Sequence, residues 1–449
     1  MFGNKLDRLC LECYNAAQIK LKECHMALAL SVRQWLQENF LKWPYRVQGV
    51  LFIVFILQGF FYETPAGIAQ GLWAIIIAPD ILTTDYIAIG GIGATFVNVG
   101  LAGLITIAAL AVTKHESIGL TIGALGLVTG FAFFGKNPVN MMPIILGGYL
   151  YSRYTKIPFK NCILPAILGT CLAPAVTQLA FVPYIPTVWG IILGVIIGLF
   201  IGFIMNPIAA AMHKAHGGYN LYNVGFAAGL LGLCFFALFR NMGIDYPILY
   251  IWSSGYDLPL ALFLLILSLY FILCGMLGSG EKLSPMEIIN MDAEDHDYYK
   301  KYAEKSYIAM GILGIACLAF MFIVNGEYSG PVIGAILSVV GFGAFGKGLS
   351  SAVPVVAGAM LAAFTNAIIT GTPANYRAFL VAAFFSTCLS PLTRRFGVKW
   401  GMAAGFLHLS LANHVGIFHG GLNLYNNGFA GGLTAMVLLP IIEFFERKV

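Results

Sequence analysis

Long uninterrupted apolar runs constrain this chain more than any other feature of its sequence. The run LPLALFLLILSLYFILCGML at 258–277 contains no charged residue, and runs of about 15–25 residues recur along the chain, close to the length that crosses a bilayer. Backbone groups cannot stay unpaired in hydrocarbon, so spanning segments are helices or strands of closed barrels. Barrel strands alternate apolar and polar residues over roughly ten positions, and these runs do not alternate. The sequence therefore predicts membrane-spanning helices.

The overall composition agrees with a protein that lives in lipid. Of the 449 residues, 59% are hydrophobic and only 10% are charged, whereas soluble proteins carry roughly 25% charged residues. A soluble fold would have too few polar residues to cover its surface. We expect an all-α, multi-pass integral protein of the cell (cytoplasmic) membrane, with the lipid bilayer as its surroundings and roughly ten to thirteen transmembrane helices plus half-helices.

The charged residues are concentrated in loops and at the N-terminus. Residues 1–46 contain seven lysines or arginines, with apolar residues between them at helical spacing. This pattern predicts an amphipathic N-terminal segment, and the positive-inside rule places it in the cytoplasm. The net charge of +5 is not gathered on one face, so no nucleic-acid partner is expected.

Two parts of the chain share motifs in the same order. The paired motifs are HGGYNLYNVGFAAGL at 216–230 with HGGLNLYNNGFAGGL at 419–433, GFAFFGK at 130–136 with GFGAFGK at 341–347, and TCLAP at 170–174 with TCLSP at 387–391. The separations of 203 to 217 residues indicate an internal duplication. We assign repeat 1 to 93–240 and repeat 2 to 307–449, preceded by leading transmembrane segments at 47–92.

The segment 241–306 connects the two repeats and contains one further span and a charged loop. Residues 281–305 of this loop carry seven acidic residues and four lysines. The simplest interpretation is a solvated connector on the cytoplasmic or the external side. A regulatory or partner-binding role is the alternative.

The positions of the basic loops indicate that the two repeats are inverted. Three basic residues precede the TCLAP span in repeat 1, whereas three follow the TCLSP span in repeat 2. These residues are Arg153, Lys156 and Lys160 in repeat 1, and Arg394, Arg395 and Lys399 in repeat 2. The basic loop thus lies before the equivalent span in one repeat and after it in the other. By the positive-inside rule, the two spans then have opposite orientations in the membrane.

The repeated asparagine motif predicts two half-helices that face each other. The Gly-Gly pairs permit a sharp backbone break, and asparagine is a good N-terminal cap, so helices are expected to begin at Asn220 and Asn423. Asn223 and Asn426 follow one turn later on the same helix faces. Helix N-termini inside a protein-lined cavity offer free N–H groups and a positive dipole end to a solute. The alternative is that the asparagines only bind helices together.

The remaining repeated polar residues are two histidines and two lysines. His216 and His419 open the asparagine motifs and either cap the backbone or contact substrate and handle protons. Lys136 and Lys347 close the other motif, and either face a cavity, which favours an anion, or extend to the membrane surface, which favours a neutral solute. No third ligand type repeats, so neither a metal site nor a cofactor is expected.

A catalytic function is not expected. The chain contains no H-E-x-x-H, no G-x-S-x-G and no P-loop. Four aspartates lie near the ends of spans, and we find no repeat partner for any of them. They are Asp80, Asp85, Asp245 and Asp257.

Two resemblances follow from these motifs. From about residue 45 to 449 the chain resembles a family of uncharacterised bacterial multispanning membrane proteins with a tandemly duplicated domain of unknown function. The motif HGG-x-NLYN-x-GFA-x-GL is the basis of this resemblance. More locally, GLNLYNNGFAGGL at 421–433 is similar to the G-L-x-x-F-N-x-x-L-x-G motif of bacterial urea transporters. Tyr425 and Asn426 stand for its Phe-Asn, Phe429 for its Leu and Gly431 for its Gly. That resemblance implies inverted halves around a narrow pore for a small neutral amide.

These observations predict a membrane transporter or channel for a small polar solute or ion. The solute is expected at the interface of the two repeats, between the N-termini of the half-helices. The alternative is a non-transporting membrane scaffold or sensor protein. A homo-oligomer is compatible with either function.

Overall fold

The structure is a computed structural model of the chain, and it describes residues 18–20, 22–23, 30–78, 80–182, 185–246, 248–278 and 297–446. Much of the basic N-terminal segment and most of the acidic loop predicted at 281–305 lie outside these residues. The described part is built from helices, which confirms the predicted all-α membrane architecture.

The described helices form two series in the same order along the chain. The first series comprises α1 (Pro44–Tyr62), α2 (Pro65–Ile77), α3 (Tyr86–Val112), α4 (Gly119–Phe131), α5 (Pro138–Thr155), α6 (Ile163–Gly169), α7 (Ala173–Ala180), α8 (Thr187–Ala215) and α9 (Asn223–Asn241). The second comprises α10 (Asp257–Gly278), α11 (Tyr298–Tyr302), α12 (Lys305–Ile323), α13 (Gly330–Gly341), α14 (Leu349–Thr370), α15 (Arg377–Ser386), α16 (Ser390–Phe396), α17 (Val398–Val415) and α18 (Asn426–Glu446).

Helix lengths fit a multispanning protein with half-helices. Within the described residues, nine helices are long and apolar enough to cross a membrane, α6 and α7 together counting as one. Three shorter apolar helices accompany them, at Pro65–Ile77, Gly119–Phe131 and Gly330–Ala344. The last two are the corresponding helices α4 and α13, each followed by the repeated Phe-Gly-Lys. Half-helices therefore occur at the same position in both series.

Glycine explains why α4 and α13 stop where they do. Gly135 has a φ of 77° and Gly346 a φ of 86°, a left-handed conformation that favours residues without a Cβ. A Cβ at Gly135 would also come within 2.3 Å of the Leu424 side chain. The chain thus breaks at each Phe-Gly-Lys and continues as a separate helix, α5 or α14.

The two half-helices pack against each other in opposite directions. A Cβ at Gly119, where α4 begins, would lie 2.2 Å from the carbonyl oxygen of Ala344, just after the end of α13. A Cβ at Gly330, where α13 begins, would lie 2.8 Å from the carbonyl oxygen of Phe133, just after the end of α4. Equivalent helices that run antiparallel are what inverted repeats produce.

The last helices of the two series, α9 and α18, also cross antiparallel. Their closest approach is at Gly225, where a Cβ would lie 2.9 Å from the Cα of Gly428. Further along α9, a Cβ at Gly232 would lie 3.1 Å from the Cβ of His419, which precedes α18. Small residues permit this approach between helix backbones. The crossing brings the two asparagine motifs together at the centre of the protein.

Candidate functional site

The first asparagine motif is fixed by a compact set of hydrogen bonds within repeat 1. Asn223 donates from Nδ2 to the carbonyl oxygen of Ala209 at 2.9 Å, so its Oδ1 faces His216 Nε2, also at 2.9 Å. The backbone N–H of Asn220 lies 3.4 Å from His216 Nδ1. Nε2 therefore donates and Nδ1 accepts, which describes a neutral imidazole with both nitrogens engaged.

The second motif repeats this arrangement. His419 Nε2 lies 3.0 Å from Asn426 Oδ1, and Asn426 Nδ2 donates to the carbonyl oxygen of Ala412 at 2.8 Å. The backbone N–H of Asn423 lies 3.4 Å from His419 Nδ1. Both histidines are fully buried. This geometry supports the capping role for the histidines, while their proposed role in proton transfer stays a prediction.

The other pair of asparagines connects one repeat to the other. Asn220 donates from Nδ2 to the carbonyl oxygen of Gly428 at 3.0 Å, and Asn423 donates from Nδ2 to that of Gly225 at 3.2 Å. The Oδ1 of Asn220 accepts from the backbone of Tyr222 at 3.0 Å, so residues 220–222 form a turn rather than helix. Helices α9 and α18 consequently begin at Asn223 and Asn426, three residues later than the sequence predicts.

The structure therefore brings all four predicted asparagines to the crossing of the repeats. Each uses its side-chain amide in hydrogen bonds to the protein. These contacts hold the repeat interface together, and the assignment of the asparagines as solute ligands stays a prediction.

The two repeated lysines are fully buried, and neither extends to the surface. Lys347 donates from Nζ to the hydroxyl of Tyr222. Its Nζ also lies 4.3 Å from the centroid of the Tyr222 ring and 5.2 Å from that of Phe342. Lys347 is thus bordered by two aromatic rings and, within the described residues, has one hydrogen-bond partner for its ammonium group.

Lys136 occupies the equivalent position in repeat 1, but its hydrogen bonding differs. Its Nζ lies 5.2 Å from the centroid of Phe131, and the ring of Tyr425 packs on Phe131 at 5.2 Å, as Tyr222 packs on Phe342 at 4.9 Å. Among the described residues, however, neither Lys136 Nζ nor the Tyr425 hydroxyl has a hydrogen-bond partner. One lysine–tyrosine pair is closed and its counterpart is open.

A small cavity with mainly apolar walls lies at the crossing, and neither Lys136 nor Tyr425 lines it. It has a volume of about 60 Å³ and is lined by Leu424 next to Tyr425, by Phe385, and by the polar residues Trp252, Asn426 and Asn427, among others. Trp252 Nε1 and Asn427 Oδ1 are buried and have no hydrogen-bond partner in the described part of the chain. A cavity of this size holds a few water molecules or a solute of few heavy atoms.

One pair of helix-capping residues was not predicted from the sequence. Asp85 accepts a hydrogen bond from the backbone N–H of Gly330 at 3.0 Å, and Asp297 accepts one from that of Gly119 at 2.9 Å. Each aspartate therefore caps the half-helix of the other repeat. The expectation that Asp85 has no repeat partner is wrong. The separation of 212 residues between Asp85 and Asp297 falls within the 203 to 217 of the other pairs and could have revealed it.

The comparison with protein families matches this duplicated architecture. The family model described as a protein of unknown function (DUF1576) matches residues 64–241 and 284–444. The chain belongs to this DUF1576 family. Two matched segments confirm the predicted family with a tandemly duplicated domain. No curated protein and no solved structure matches the chain, so the local resemblance to urea transporters stays a prediction.

The DUF1576 segments contain every residue of the crossing described above. The first includes Lys136 and the first asparagine motif, and the second includes Lys347 and the second motif. Asp85 and Asp297 also lie inside the matched segments, although both fall outside the repeats assigned from the sequence at 93–240 and 307–449. The domain boundaries assigned from the sequence stay predictions.

Proposed function

We propose that this DUF1576 protein is a transporter of small monovalent anions, which bind at the interface of the inverted repeats. The single observation that carries the proposal is the Lys136 ammonium, which is fully buried and has no hydrogen-bond partner among the described residues. A buried charge without a partner is costly in a membrane protein and marks solute pathways. An anion at Lys136 removes that cost.

The surroundings of Lys136 fit a small anion better than a large one. The Phe131 ring borders the ammonium, and the cavity at the crossing measures about 60 Å³. The free hydroxyl of Tyr425 supplies a second donor to an anion held by Lys136. Chloride, nitrate, formate and bicarbonate have the appropriate charge and size.

The difference between the two lysine–tyrosine pairs supports alternating access. In inverted-repeat transporters the two halves exchange conformations around a fixed site. In the state described here the Lys347–Tyr222 pair is closed and the Lys136–Tyr425 pair is open. In the opposite state we expect Lys136 to bind Tyr425 and Lys347 to receive the solute.

We further propose the cell membrane as the location, with the N-terminus in the cytoplasm. Tyr45, near the start of α1, donates to the carbonyl oxygen of His115 at 2.9 Å, and His115 Nδ1 lies 2.7 Å from the carbonyl oxygen of Lys160. These bonds bring the described end of the N-terminal segment together with the loops that carry Lys114 and Lys160 on one face. The positive-inside rule makes that face cytoplasmic. We propose no catalytic activity for the protein.

The test is ligand-dependent stability of the detergent-purified full-length protein, followed by flux in proteoliposomes. Sodium chloride, nitrate, formate and bicarbonate are compared with sodium gluconate and with urea. A ligand that binds the folded state at 100 times its Kd stabilises it by about 2.7 kcal/mol. We expect stabilisation by at least one small anion and none by gluconate or urea.

Two variants make the test specific to the site. Lys136→Met removes the buried charge at similar length, and Lys399→Met removes a lysine that is exposed at the start of α17. The first should lose the anion-dependent shift and anion flux, and the second should keep both. Stabilisation by urea alone would instead support the urea-transporter resemblance. No stabilisation by any solute, or an anion response that persists in Lys136→Met, would overturn the proposal and favour the scaffold function.

A further inference from the structure

A second buried charge lies close to the Lys136 segment, in the first half of the chain. The side chain of Asp80 is fully buried. Its carboxylate accepts hydrogen bonds from four side chains, and the donors are Tyr86 Oη at 2.6 Å, Thr177 Oγ1 at 2.8 Å, Asn140 Nδ2 at 2.9 Å and Asn137 Nδ2 at 3.4 Å. Within the described residues no lysine, arginine or histidine forms an ion pair with it. A negative charge is therefore stabilised by neutral donors only.

The orientations of the two asparagine amides are fixed by their other hydrogen bonds. Asn137 Oδ1 accepts from the backbone N–H groups of Val139 and Asn140, both at 3.0 Å. Asn140 Oδ1 accepts from the backbone N–H of Asn137 at 2.9 Å. Both NH₂ groups must then point at Asp80. A metal cation finds hydrogens here instead of the oxygen ligands it requires.

The two hydroxyl groups around Asp80 are different, because a hydroxyl can donate or accept. Tyr86 and Thr177 donate to the ionised carboxylate. When a proton from water binds a carboxylate oxygen, the new O–H needs an acceptor, and rotation of either hydroxyl supplies one. The cage around Asp80 thus accommodates the charged and the protonated form without moving the backbone.

Asp85 shows what a carboxylate held only for structure looks like in the same protein. It accepts from the backbone N–H groups of Ser253 at 2.9 Å, Gly330 at 3.0 Å and Ile87 at 3.0 Å, besides the Ser253 hydroxyl at 2.7 Å. Backbone N–H groups cannot reverse. Only the Ser253 hydroxyl can therefore accept from a protonated Asp85, whereas two hydroxyls, those of Tyr86 and Thr177, are available at Asp80.

Three donors of the Asp80 cage are replaced at the corresponding positions of repeat 2. At the separations that relate the repeats, Asn137 corresponds to Gly348, Asn140 to Ser351 and Thr177 to Arg394. The two amide donors are absent there, and an arginine replaces the threonine. At the 212-residue separation of Asp85 and Asp297, Asp80 corresponds to Asp292, which lies outside the described residues. Within the described residues this hydrogen-bonded carboxylate is found in the first half.

We propose that Asp80 is the proton-binding site that couples transport to the proton gradient. The coupling role rests on the proposed function, whereas reversible protonation of Asp80 does not. Asn137 directly follows Lys136, so the hydrogen bonds that hold the carboxylate also hold the segment that carries the anion-binding lysine. Proton uptake at Asp80 weakens that hold, and release on the other side of the membrane restores it.

We expect Asp80 itself, and not a group around it, to bind the proton in this cage. Helix α3 contributes the Tyr86 phenol, and α7 contributes Thr177, which does not titrate. The segment between α4 and α5 contributes the Asn137 amide, and α5 contributes the Asn140 amide. The Lys136 ammonium on that segment lies against the Phe131 ring, at 5.2 Å from its centroid.

The first test observes protonation directly and needs no solute. Infrared difference spectra of the full-length protein in lipid, recorded between neutral and acidic pH, show the carbonyl stretch of a protonated carboxyl group. We expect a pH-dependent band in the wild type that disappears in Asp80→Asn and persists in Asp245→Asn, whose aspartate is exposed. Thr177→Val, which keeps Asp80, should move the band midpoint to higher pH because the charged form loses a donor. A band that neither change at the site affects would overturn the proposal.

The second test measures coupling with nitrate and chloride as probes in proteoliposomes. An imposed pH gradient should drive their accumulation by the wild type. Asp80→Asn should keep anion exchange without a gradient and lose accumulation driven by it. Gradient-driven accumulation in Asp80→Asn would overturn the coupling role. Absence of all anion flux in the wild type, with the infrared band intact, would overturn the proposed function and leave Asp80 as a proton-binding site.

Discussion

The ring of Tyr222 lies 4.7 Å from the ring of Tyr425, measured between centroids, where two copies of one motif meet. The two tyrosines occupy the same position of their repeats, yet their hydroxyls differ. That of Tyr222 binds Lys347, and that of Tyr425 has no hydrogen-bond partner in the described part of the chain. Equivalent residues in different states are what an inverted-repeat transporter shows when it is closed on one side.

This difference predicts unequal effects of one substitution. Tyr222→Phe removes a hydrogen bond to a charged group and should lower the free energy of unfolding by about 1.5–3 kcal/mol. Tyr425→Phe removes a hydroxyl without a partner and should have little effect or stabilise slightly. Thermal unfolding of both variants in detergent, without added anion, measures the difference. Equal destabilisation would show that Lys136 and Tyr425 are paired in the resting protein.

The crossing of α9 and α18 predicts which glycines cannot be changed. A Cβ at Gly225 would lie 2.7 Å from the Tyr425 ring and 2.9 Å from the Cα of Gly428. Gly225→Ala should therefore destabilise the protein by about 1–3 kcal/mol through overpacking. Gly49→Ala in α1 is the matched control, because its Cβ would meet only Ile107 at 3.8 Å. The control should be neutral or stabilising by up to about 1 kcal/mol, since alanine favours helix. A tolerated Gly225→Ala would contradict the close crossing.

The membrane helices, the duplication and the meeting of the asparagine motifs could be predicted from the sequence. The length of the apolar runs predicts the membrane helices, and the order and spacing of the motifs predict the duplication. The helix starts were misplaced by three residues because Asn220 and Asn423 form side-chain turns before the helices begin. In each motif the sequence offers two asparagines at which a helix could begin, and the contacts of the first asparagine with the other repeat decide that the helix begins at the second.

The partners of the polar side chains could not be predicted from the sequence. Lys136 and Lys347 lie in nearly identical motifs, yet one binds a tyrosine and the other does not. The aspartate caps Asp85 and Asp297 share a following tyrosine and a separation of 212 residues, but their common role as caps follows from the antiparallel packing of α4 and α13.

The aspartate caps predict a graded effect on stability. Asp85 accepts from three backbone N–H groups and one hydroxyl, whereas Asp297 accepts from the backbone N–H groups of Gly119 and Lys300, both at 2.9 Å. Each buried donor left without an acceptor costs about 1–3 kcal/mol. Asp85→Ala should therefore destabilise more than Asp297→Ala in urea or thermal unfolding. A larger loss of stability in Asp297→Ala would show that the cap of α4 matters more for stability than the number of hydrogen bonds each aspartate accepts.

The histidine–asparagine pairs allow the role of the asparagines to be decided by a double-mutant cycle. If Asn426 only fixes the backbone, Asn426→Ala should lower stability through its lost bonds to His419 and Ala412. His419→Ala should then couple to it by about 0.5–3 kcal/mol, as expected for residues in one hydrogen-bond network. If Asn426 binds solute, Asn426→Ala should instead abolish anion-dependent stabilisation while the ligand-free protein unfolds like the wild type. Asn223 with His216 repeats the cycle in the other half. Equal coupling energies in both halves are expected, because the hydrogen-bond distances of the two copies differ by only about 0.1 Å, too little to change the strength of a hydrogen bond.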